Sequence, residues 1–195
     1  MDMKANFDKE IQGISKTTFA GIAIGLGCCL FLLAPNNIIG AVLFSCGLLC
    51  VRIYKLTLFT GKVQFLITSK YPWYDYPLML IGNLLGVSIV AAITASITGE
   101  LAAPIAAAKA AQPFGEAIIK GIGCGMLMSL ATYKDSPLWM CLICVPAFIL
   151  AGFNHCIADC YYAIAGGAIG TSFFATILGN IIGGSILLNG NWTNT

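Results

Sequence analysis

Long stretches without a single charged side chain dominate this sequence of 195 residues. Residues 17–51, 76–99, 136–158 and 160–195 contain no Asp, Glu, Lys or Arg. A helix needs about 20 apolar residues to cross a bilayer, and within the bilayer the protein must satisfy every backbone polar group itself. The stretches therefore predict an all-α membrane protein whose surface is largely surrounded by lipid.

Turn residues and charges divide the apolar stretches into six candidate membrane spans. Pro35 and the two asparagines that follow it separate the first span from the second. We expect one transmembrane domain over residues 1–195, with repeat halves at about 15–100 and 113–190. The predicted spans are residues 17–34, 38–55, 77–97, 114–133, 138–160 and 168–189.

Basic residues lie mainly on one side of the predicted membrane. Cytoplasmic connections of membrane proteins carry an excess of Lys and Arg. Lys109 is the only basic residue in the connections on the opposite side. Because six spans place both termini on the same side, we expect a multi-pass protein of the plasma or inner membrane with both termini in the cytoplasm. The basic residues on that side are Lys4, Lys9, Lys16, Arg52, Lys55, Lys62, Lys70 and Lys134.

The composition argues against several classes of protein. Only 9% of the residues are charged, whereas a soluble domain has roughly a quarter. A net charge of +2 argues against a nucleic-acid partner, because binding to phosphates needs clustered Lys and Arg. The nine cysteines lie in apolar stretches, where thiols act as small hydrophobic groups. We therefore predict no disulfide framework, no metal site and no cofactor.

One five-residue pattern occurs twice, in the third and the sixth span. The two copies are GNLLG (82–86) and GNIIG (179–183), which are 97 residues apart. Glycines four residues apart let a second helix approach closely, so one copy alone indicates only helix packing. Each copy lies in the last span of a group of three. Because three is an odd number, the second group enters the membrane from the side opposite to the first. Two copies therefore predict an inverted-topology repeat of three plus three spans.

The middle span of each half contains residues that interrupt a helix. Thr60 lies just after residues 38–55, in the interrupted continuation of the second span among basic residues, and His155 lies in the fifth span after Pro146 and Gly152. Irregular backbone at membrane depth is tolerated only where it lines a cavity or is buried in protein, so paired interruptions indicate a transport site. Thr60 and His155 are 95 residues apart, close to the repeat offset, and we expect the two breaks to meet.

Four groups of residues, in order along the chain, resemble the formate/nitrite transporter family. The resemblance covers nearly the whole chain. It implies an aquaporin-like protomer of six helices, a pore through each protomer, and a homopentamer in the lipid bilayer. The four groups are LFTG (58–61), Lys109 with Phe114, Glu116-Ala117, Gly121-Ile122 and Cys124, then AGFNHCIA (151–158), and finally GNIIGG (179–184).

The same resemblance implies roles for individual residues. The family's pore histidine corresponds to His155, its threonine on the opposite break to Thr60, and its vestibule lysine to Lys109. Its apolar constrictions correspond to Phe44 and Phe148 on the outer side and to Leu48 and Phe59 on the inner side.

Three positions depart from the family's pattern. Asn154 stands where the family usually has Glu before the histidine, and Asp159 stands where it has Asn four residues after it. Gly125 replaces the Asn that usually follows Cys124. Because residues i and i+4 are neighbours on a helix, we expect the Asp159 carboxylate one turn along the same face as His155. Such a carboxylate would change the proton affinity of the histidine and the preferred substrate.

A transport hypothesis follows from the ionisable residues at membrane depth, which are costly there and by default mark a pathway. A bare anion cannot cross apolar rings cheaply. We expect Lys109 to attract the monovalent anion of a weak acid, which gains a proton in the pore and passes Thr60 and His155 as the neutral acid. Formate is the first candidate substrate, with nitrite and hydrosulfide as close rivals.

Alternative interpretations exist for each of these residues. His155 could be a structural donor bound to Asp159, Thr60 could bond its own helix backbone, and Lys109 could be a solvated loop residue. A water or small-solute channel of the aquaporin type would need paired Asn-Pro-Ala turns, which the sequence lacks. An enzyme is not predicted, because no metalloprotease or nucleophile motif is evident. A structural scaffold would leave the two breaks without a purpose.

Overall fold

The computed structural model describes the backbone of residues 3–186 and the side chains of residues 13–186. Within this part of the chain all regular structure is helical. The predicted end of the sixth span at residue 189, and the side chains of Lys4 and Lys9, lie outside the described residues. The helices are α1 (Met3–Leu33), α2 (Asn37–Ile53), α3 (Phe59–Lys62), α4 (Asp75–Ala110), α5 (Phe114–Thr132), α6 (Cys141–Leu150), α7 (Cys156–Gly166) and α8 (Ser172–Ile186).

The helices differ in length, and local chemistry sets several of their ends. Gly13–Leu33 of α1, together with α4 and α5, are long and apolar enough to cross a membrane, whereas α2 and α8 are shorter apolar helices. The Asn36 side chain accepts hydrogen bonds from the N–H groups of Ile38 and Ile39 and so caps the start of α2. Gly167 adopts the left-handed conformation, with φ of +76°, that ends α7.

α4 extends much further than the sequence predicted. The third span was expected to end at residue 97 and to leave Lys109 in a long loop, but α4 continues to Ala110 and Lys109 lies in its last turn. That prediction was wrong because residues 102–111 are mostly alanine, the best helix former. Their helix propensity outweighs the backbone hydrogen bond that Pro104 removes from the interior of α4.

The repeated glycine pattern lies at two close helix contacts. α1 packs along α4, and α5 packs along α8. A Cβ at Gly86 would overlap the carbonyl oxygen of Thr18, and a Cβ at Gly183 would overlap the carbonyl oxygen of Ile122. Both copies of the pattern therefore let two backbones approach closely, which is the packing role that small residues four apart have in membrane helices.

Gly125 lies at the same contact between α5 and α8. A Cβ at this position would lie 2.5 Å from the backbone oxygen of Asn180 and 2.8 Å from the backbone nitrogen of Gly184. A larger side chain would push α8 away from α5. The close packing of these two helices therefore requires a glycine at position 125 in this chain.

The first helix break follows α2 and is held by an asparagine of the repeated pattern. Asn83 Oδ1 accepts a hydrogen bond from the N–H of Phe59 at 2.7 Å. Its Nδ2 donates to the carbonyl oxygens of Thr57, at 2.9 Å, and Thr17, at 2.8 Å. Asn83 is fully buried. A single side chain thus satisfies backbone groups that the interrupted helix leaves without partners.

The second break, between α6 and α7, is held in the same way. Asn180 Oδ1 accepts a hydrogen bond from the N–H of Cys156, and its Nδ2 donates to the carbonyl oxygens of Asn154 and Gly121, each at 2.9 Å. The two partners within this break lie 97 residues after the partners of Asn83 in the first break. The repeat in the sequence therefore corresponds to a repeated hydrogen-bond arrangement.

Arg52 joins the end of α2 to the connection that follows α5. Its guanidinium donates to the carbonyl oxygens of Ala131 and Ser136, each at 2.7 Å. Because the last carbonyls of a helix have no partner within the helix, these bonds satisfy the end of α5. They also connect the first half of the chain to the second at the end of α2.

Candidate transport site

His155 begins α7 and binds two groups through its two ring nitrogens. Nδ1 accepts a hydrogen bond from the N–H of Ala158 at 3.2 Å, so this nitrogen carries no proton. The neutral ring then has its proton on Nε2, which donates to Thr60 Oγ1 at 3.0 Å. Both side chains are buried. The two helix breaks therefore meet through one hydrogen bond, 95 residues apart in the sequence.

Two phenylalanine rings pack next to the imidazole. The Phe148 ring stacks on the His155 ring, with centroids 5.7 Å apart and an angle of 20° between the planes. The edge of Phe44 meets Phe148 at 6.0 Å and 88°. Both phenylalanines are buried. The polar break is thus bordered by a continuous apolar surface of aromatic rings, in the geometries that such pairs prefer.

A cavity of about 600 Å³ borders the rings of Phe44 and Phe148. Its walls come from α1, α2, α4, α5, α6, α7 and the second helix break, and it has a charged region and an apolar region. The structure therefore brings together on one surface most of the residues that the sequence singled out. The predicted site residues that line the cavity are Phe44, Lys109, Phe148, Asn154, His155 and Asp159.

Lys109 forms two polar contacts at this cavity. Its Nζ lies 2.7 Å from Asp159 Oδ1 and donates to Asn154 Oδ1 at 2.8 Å. An ammonium group has three N–H donors, so one donor is left for another acceptor. The side chain is 22% exposed, whereas that of Asp159 is 7% exposed. Lys109 is thus neither free in solvent nor fully enclosed.

The Asp159 carboxylate lies in the first turn of α7. The positive end of a helix dipole is at the N-terminus, so this position favours a negative charge. Its backbone N–H donates to the carbonyl oxygen of His155 at 2.8 Å, which places the carboxylate one turn beyond the histidine. The alternative in which Asp159 binds the imidazole is not observed, because both ring nitrogens bind other partners.

Asn154 connects Lys109 to two residues that the sequence analysis did not single out. Its Nδ2 donates to Gln112 Oε1 at 2.6 Å and to Thr176 Oγ1 at 3.2 Å. Gln112 lies in the short connection between α4 and α5, and Thr176 lies in α8. No sequence pattern marks either residue, because the contacts join segments that are far apart in the chain.

Nearly the whole sequence matches one known protein family. Residues 3–191 match the family described as formate/nitrite transporter. This chain belongs to that family. The formate/nitrite transporter family consists of membrane transport proteins for anions, so the chain is an integral membrane transport protein.

Known proteins of the formate/nitrite transporter family resemble the chain over most of its length. It is 28% identical to the nitrite transporter NirC of Escherichia coli (strain K12), over 92% of this chain and 82% of that protein. It is 27% identical to formate-nitrite transporter 2 of Toxoplasma gondii (strain ATCC 50611 / Me49), over 78% of this chain and 40% of that protein. These relatives are transporters rather than enzymes.

Solved structures show the same fold. An FNT family ion channel superposes with a TM-score of 0.82 and 22% sequence identity, over 97% of this chain and 92% of that chain. A pentameric formate channel with formate bound superposes with a TM-score of 0.73 and 22% identity, over 91% of this chain and 93% of that chain. The fold of the chain is therefore that of the formate/nitrite transporter channels.

The remaining residues predicted from the family lie deeper in the protein. Thr60 and Leu48 are fully buried, and Phe59 is 3% exposed. None of the three lines the cavity of about 600 Å³ among the described residues. Leu48 and Phe59 belong to the hydrophobic core close to the first break, so their role as an inner constriction stays a prediction.

A second lysine, which no sequence pattern had indicated, borders the cavity. Lys120 lines the cavity and forms an ion pair with Glu116, one turn earlier on α5, at 2.7 Å. The spacing of four residues in a helix is the signal that would have indicated this pair. Both side chains are partly exposed, so the pair contributes little to stability.

Proposed function

We propose that this protein carries the small monovalent anion of a weak acid across the cell membrane, and that the substrate passes the apolar rings as the neutral acid. Formate is the first candidate, followed by nitrite and hydrosulfide. The observation that carries the proposal is the hydrogen bond between Thr60 and His155, which joins the two helix breaks beneath a cavity that contains a lysine.

The first step is attraction of the anion by Lys109. The lysine lies at the cavity with one N–H donor unused, and a charge in a cleft with apolar walls raises the local concentration of an oppositely charged solute. Because Asp159 offsets part of the charge of Lys109, the cavity attracts the anion only weakly and does not hold it permanently. The hydrogen bond to Asn154 fixes the position of the Lys109 ammonium group.

The second step is protonation before the aromatic rings. Phe44 and Phe148 offer no hydrogen-bond partner, and moving a bare charge past them costs many kcal/mol. A neutral acid of the same size avoids most of this cost. We infer that the anion takes up a proton in the cavity, and we assign no residue as the source of that proton.

The third step exploits the chemistry of the Thr60–His155 pair. The imidazole Nε2–H is a donor, and the threonine oxygen is an acceptor. A neutral oxyacid has both an acceptor oxygen and an O–H donor, so it can replace this bond with one bond to each side chain. Since S–H is a weak donor and sulfur a weak acceptor, the pair favours formic or nitrous acid over hydrogen sulfide.

The proposed assembly is a homopentamer with both termini in the cytoplasm. A relative of the same fold is described as a pentameric formate channel. Many large apolar side chains are exposed on the outside of the single chain, which suits contact with lipid and with neighbouring subunits. The uneven distribution of Lys and Arg supports the orientation of the termini.

The test is a substrate panel in proteoliposomes at two external pH values. Passage as the neutral acid predicts that uptake at a fixed total concentration of formate or nitrite is faster at the lower pH, because more of the acid is protonated. Liposomes without protein give the background of acid that crosses the lipid unaided. Equal protein-dependent rates at both pH values would contradict neutral passage, and uptake of none of the three substrates would refute the proposed function.

A further inference from the structure

The orientation of three polar side chains at the cavity follows from the chemistry of Lys109. An ammonium group can only donate hydrogen bonds, so the Asn154 atom that faces it, at 2.8 Å, must be the carbonyl oxygen. The other atom of this amide, Nδ2, is therefore a donor. The Gln112 atom that it meets at 2.6 Å must then be an acceptor, which is Oε1. The amide orientation of Gln112 is thus determined by a lysine that it does not contact through its side chain.

This orientation turns the Gln112 Nε2 group away from Asn154. Gln112 is partly exposed and lines the cavity of about 600 Å³, beside Lys109. Its backbone N–H donates to the carbonyl oxygen of Lys109 at 3.2 Å, which holds the two residues next to each other at the end of α4. Within the described part of the chain, no acceptor binds Nε2. The two N–H donors of this group are therefore available to a solute.

Lys109 and Gln112 thus offer unused N–H donors on either side of the same Asn154 amide. One comes from the third ammonium N–H of Lys109, and the others come from the Gln112 carboxamide. A planar anion with two oxygens can accept from both residues at once. A hydrosulfide ion has a single acceptor atom and gains much less from the second residue.

We propose that Gln112 is a second anion-binding residue of the vestibule and that it selects two-oxygen anions, namely small carboxylates and nitrite, over single-atom anions. Lys109 supplies the charge, and Gln112 supplies a directional hydrogen bond to the second oxygen. Asn154 holds both donors in place. This inference rests on the proposed function, because it identifies the class of substrate that the same cavity binds.

Two substitutions at Gln112 separate contact with the anion from a merely structural role. Gln112→Glu keeps the oxygen that accepts from Asn154 but removes the donors and adds a negative charge. Gln112→Met removes the acceptor and the donors without adding charge. If Gln112 only positioned Asn154, Gln112→Met would weaken the uptake of hydrosulfide as much as that of formate. If only the added charge mattered, Gln112→Met would behave as the unsubstituted protein.

The measurement is uptake into proteoliposomes as a function of formate, nitrite and hydrosulfide concentration. For both variants we expect the half-saturating concentrations of formate and nitrite to rise about tenfold, since a hydrogen bond to a charged group is lost. We expect the maximal rates to stay within about twofold, because the residues at the aromatic rings are unchanged. For Gln112→Met we expect the half-saturating concentration of hydrosulfide to be unchanged.

A binding measurement distinguishes a failure of the role proposed for Gln112 from a failure of the proposed function. Formate should raise the melting temperature of the unsubstituted protein in detergent relative to chloride at equal ionic strength, and it should raise that of both variants less. Unchanged half-saturation for formate in either variant would overturn the role of Gln112 while leaving transport intact. Absence of both uptake and formate-dependent stabilisation in the unsubstituted protein would overturn both proposals.

Discussion

At the scale of single residues, the cavity places a lysine, an amide and a carboxylate in one hydrogen-bonded group. Lys109 contacts Asn154 on one side and Asp159 on the other. In the family's usual pattern the carboxylate precedes the histidine and the amide follows it, so the two groups have exchanged places here. The charge that balances the lysine here comes from α7 and not from the helix break.

The exchange leads to a prediction for Asp159→Asn. Removing the carboxylate leaves the ammonium of Lys109 without a counter-charge, and we expect the free energy of unfolding to fall by about 3 kcal/mol. This value is at the lower end for buried ion pairs, because Lys109 retains contact with the cavity. Denaturation of the purified protein in detergent measures the effect.

The matched control restores a carboxylate at the other position. Asn154→Asp combined with Asp159→Asn should recover part of the lost stability, since the introduced carboxylate would again face Lys109. Recovery should be incomplete, because an aspartate cannot donate to Gln112 and Thr176 as Asn154 does. A double variant no more stable than Asp159→Asn would show that the balance of charge is not the stabilising factor.

A second residue-scale prediction concerns His155→Asn. Asparagine is a good N-cap, so its side-chain oxygen can still accept from the N–H of Ala158 and the start of α7 is preserved. The bond to Thr60 and the stacking on Phe148 are lost. We expect the maximal rate of formate uptake to fall at least about tenfold, or ~1.4 kcal/mol of barrier. Unchanged uptake with unchanged pH dependence would remove the histidine from the mechanism.

At the scale of elements, the two helix breaks are stable because one buried asparagine serves each of them. Unwound backbone exposes N–H and C=O groups that a bilayer cannot satisfy. Asn83 and Asn180 each provide one acceptor and one donor to such groups, and a second donor to a carbonyl oxygen of a neighbouring helix. The glycines of the same pattern bring the helices close enough for these side chains to reach the breaks.

This arrangement predicts a large effect for Asn180→Ala. The substitution leaves the N–H of Cys156 and the carbonyl oxygen of Asn154 buried without partners, at about 1–3 kcal/mol each. We expect the free energy of unfolding to fall by at least about 2 kcal/mol and formate uptake to be lost. Thermal denaturation in detergent and uptake into proteoliposomes measure the two effects.

Asn36→Ala is the matched control for this prediction. Asn36 also accepts hydrogen bonds from backbone N–H groups, but it lies at an exposed helix start away from the breaks. We expect a loss of about 1 kcal/mol, the usual value for an N-cap, with formate uptake retained. Equal effects of the two substitutions would mean that Asn180 is only a helix cap and not the support of the break.

At the scale of the whole molecule, the proposed pathway depends on contacts between the two halves of the chain. Thr60 and the bonds of Arg52 come from the first half, whereas His155 and the connection after α5 come from the second. The outer surface carries many exposed apolar side chains, as expected for a protein surrounded by lipid.

The proposed assembly gives a prediction at this scale. Light scattering of the protein in mild detergent, corrected for the bound detergent, should give the mass of five chains. Each chain has its own Thr60–His155 pair, so uptake should fall in proportion to the fraction of inactive chains in mixed assemblies with His155→Asn. A mass of one or two chains would contradict the homopentamer, and a steeper loss of uptake would contradict independent pathways.

The sequence alone determined the class of the molecule and the positions of its interruptions. Charge-free stretches of this length can fold only where lipid covers them, and the offset of 97 residues indicated two corresponding halves. Family resemblance identified His155, Thr60 and Lys109 as site residues. The class and the interruptions could be predicted because spacing and composition are local properties, which do not depend on which segments meet. The roles of the three site residues stay predictions.

Only the tertiary structure decided how the site is held together. It moved Lys109 from a loop to the last turn of α4, paired it with Asp159, and added Gln112 to the cavity. It also showed that the asparagine between the glycines supports each break. Hydrogen bonds between residues far apart in the chain leave no periodic signal, because the pairing depends on how closely the helices pack and which way each side chain turns.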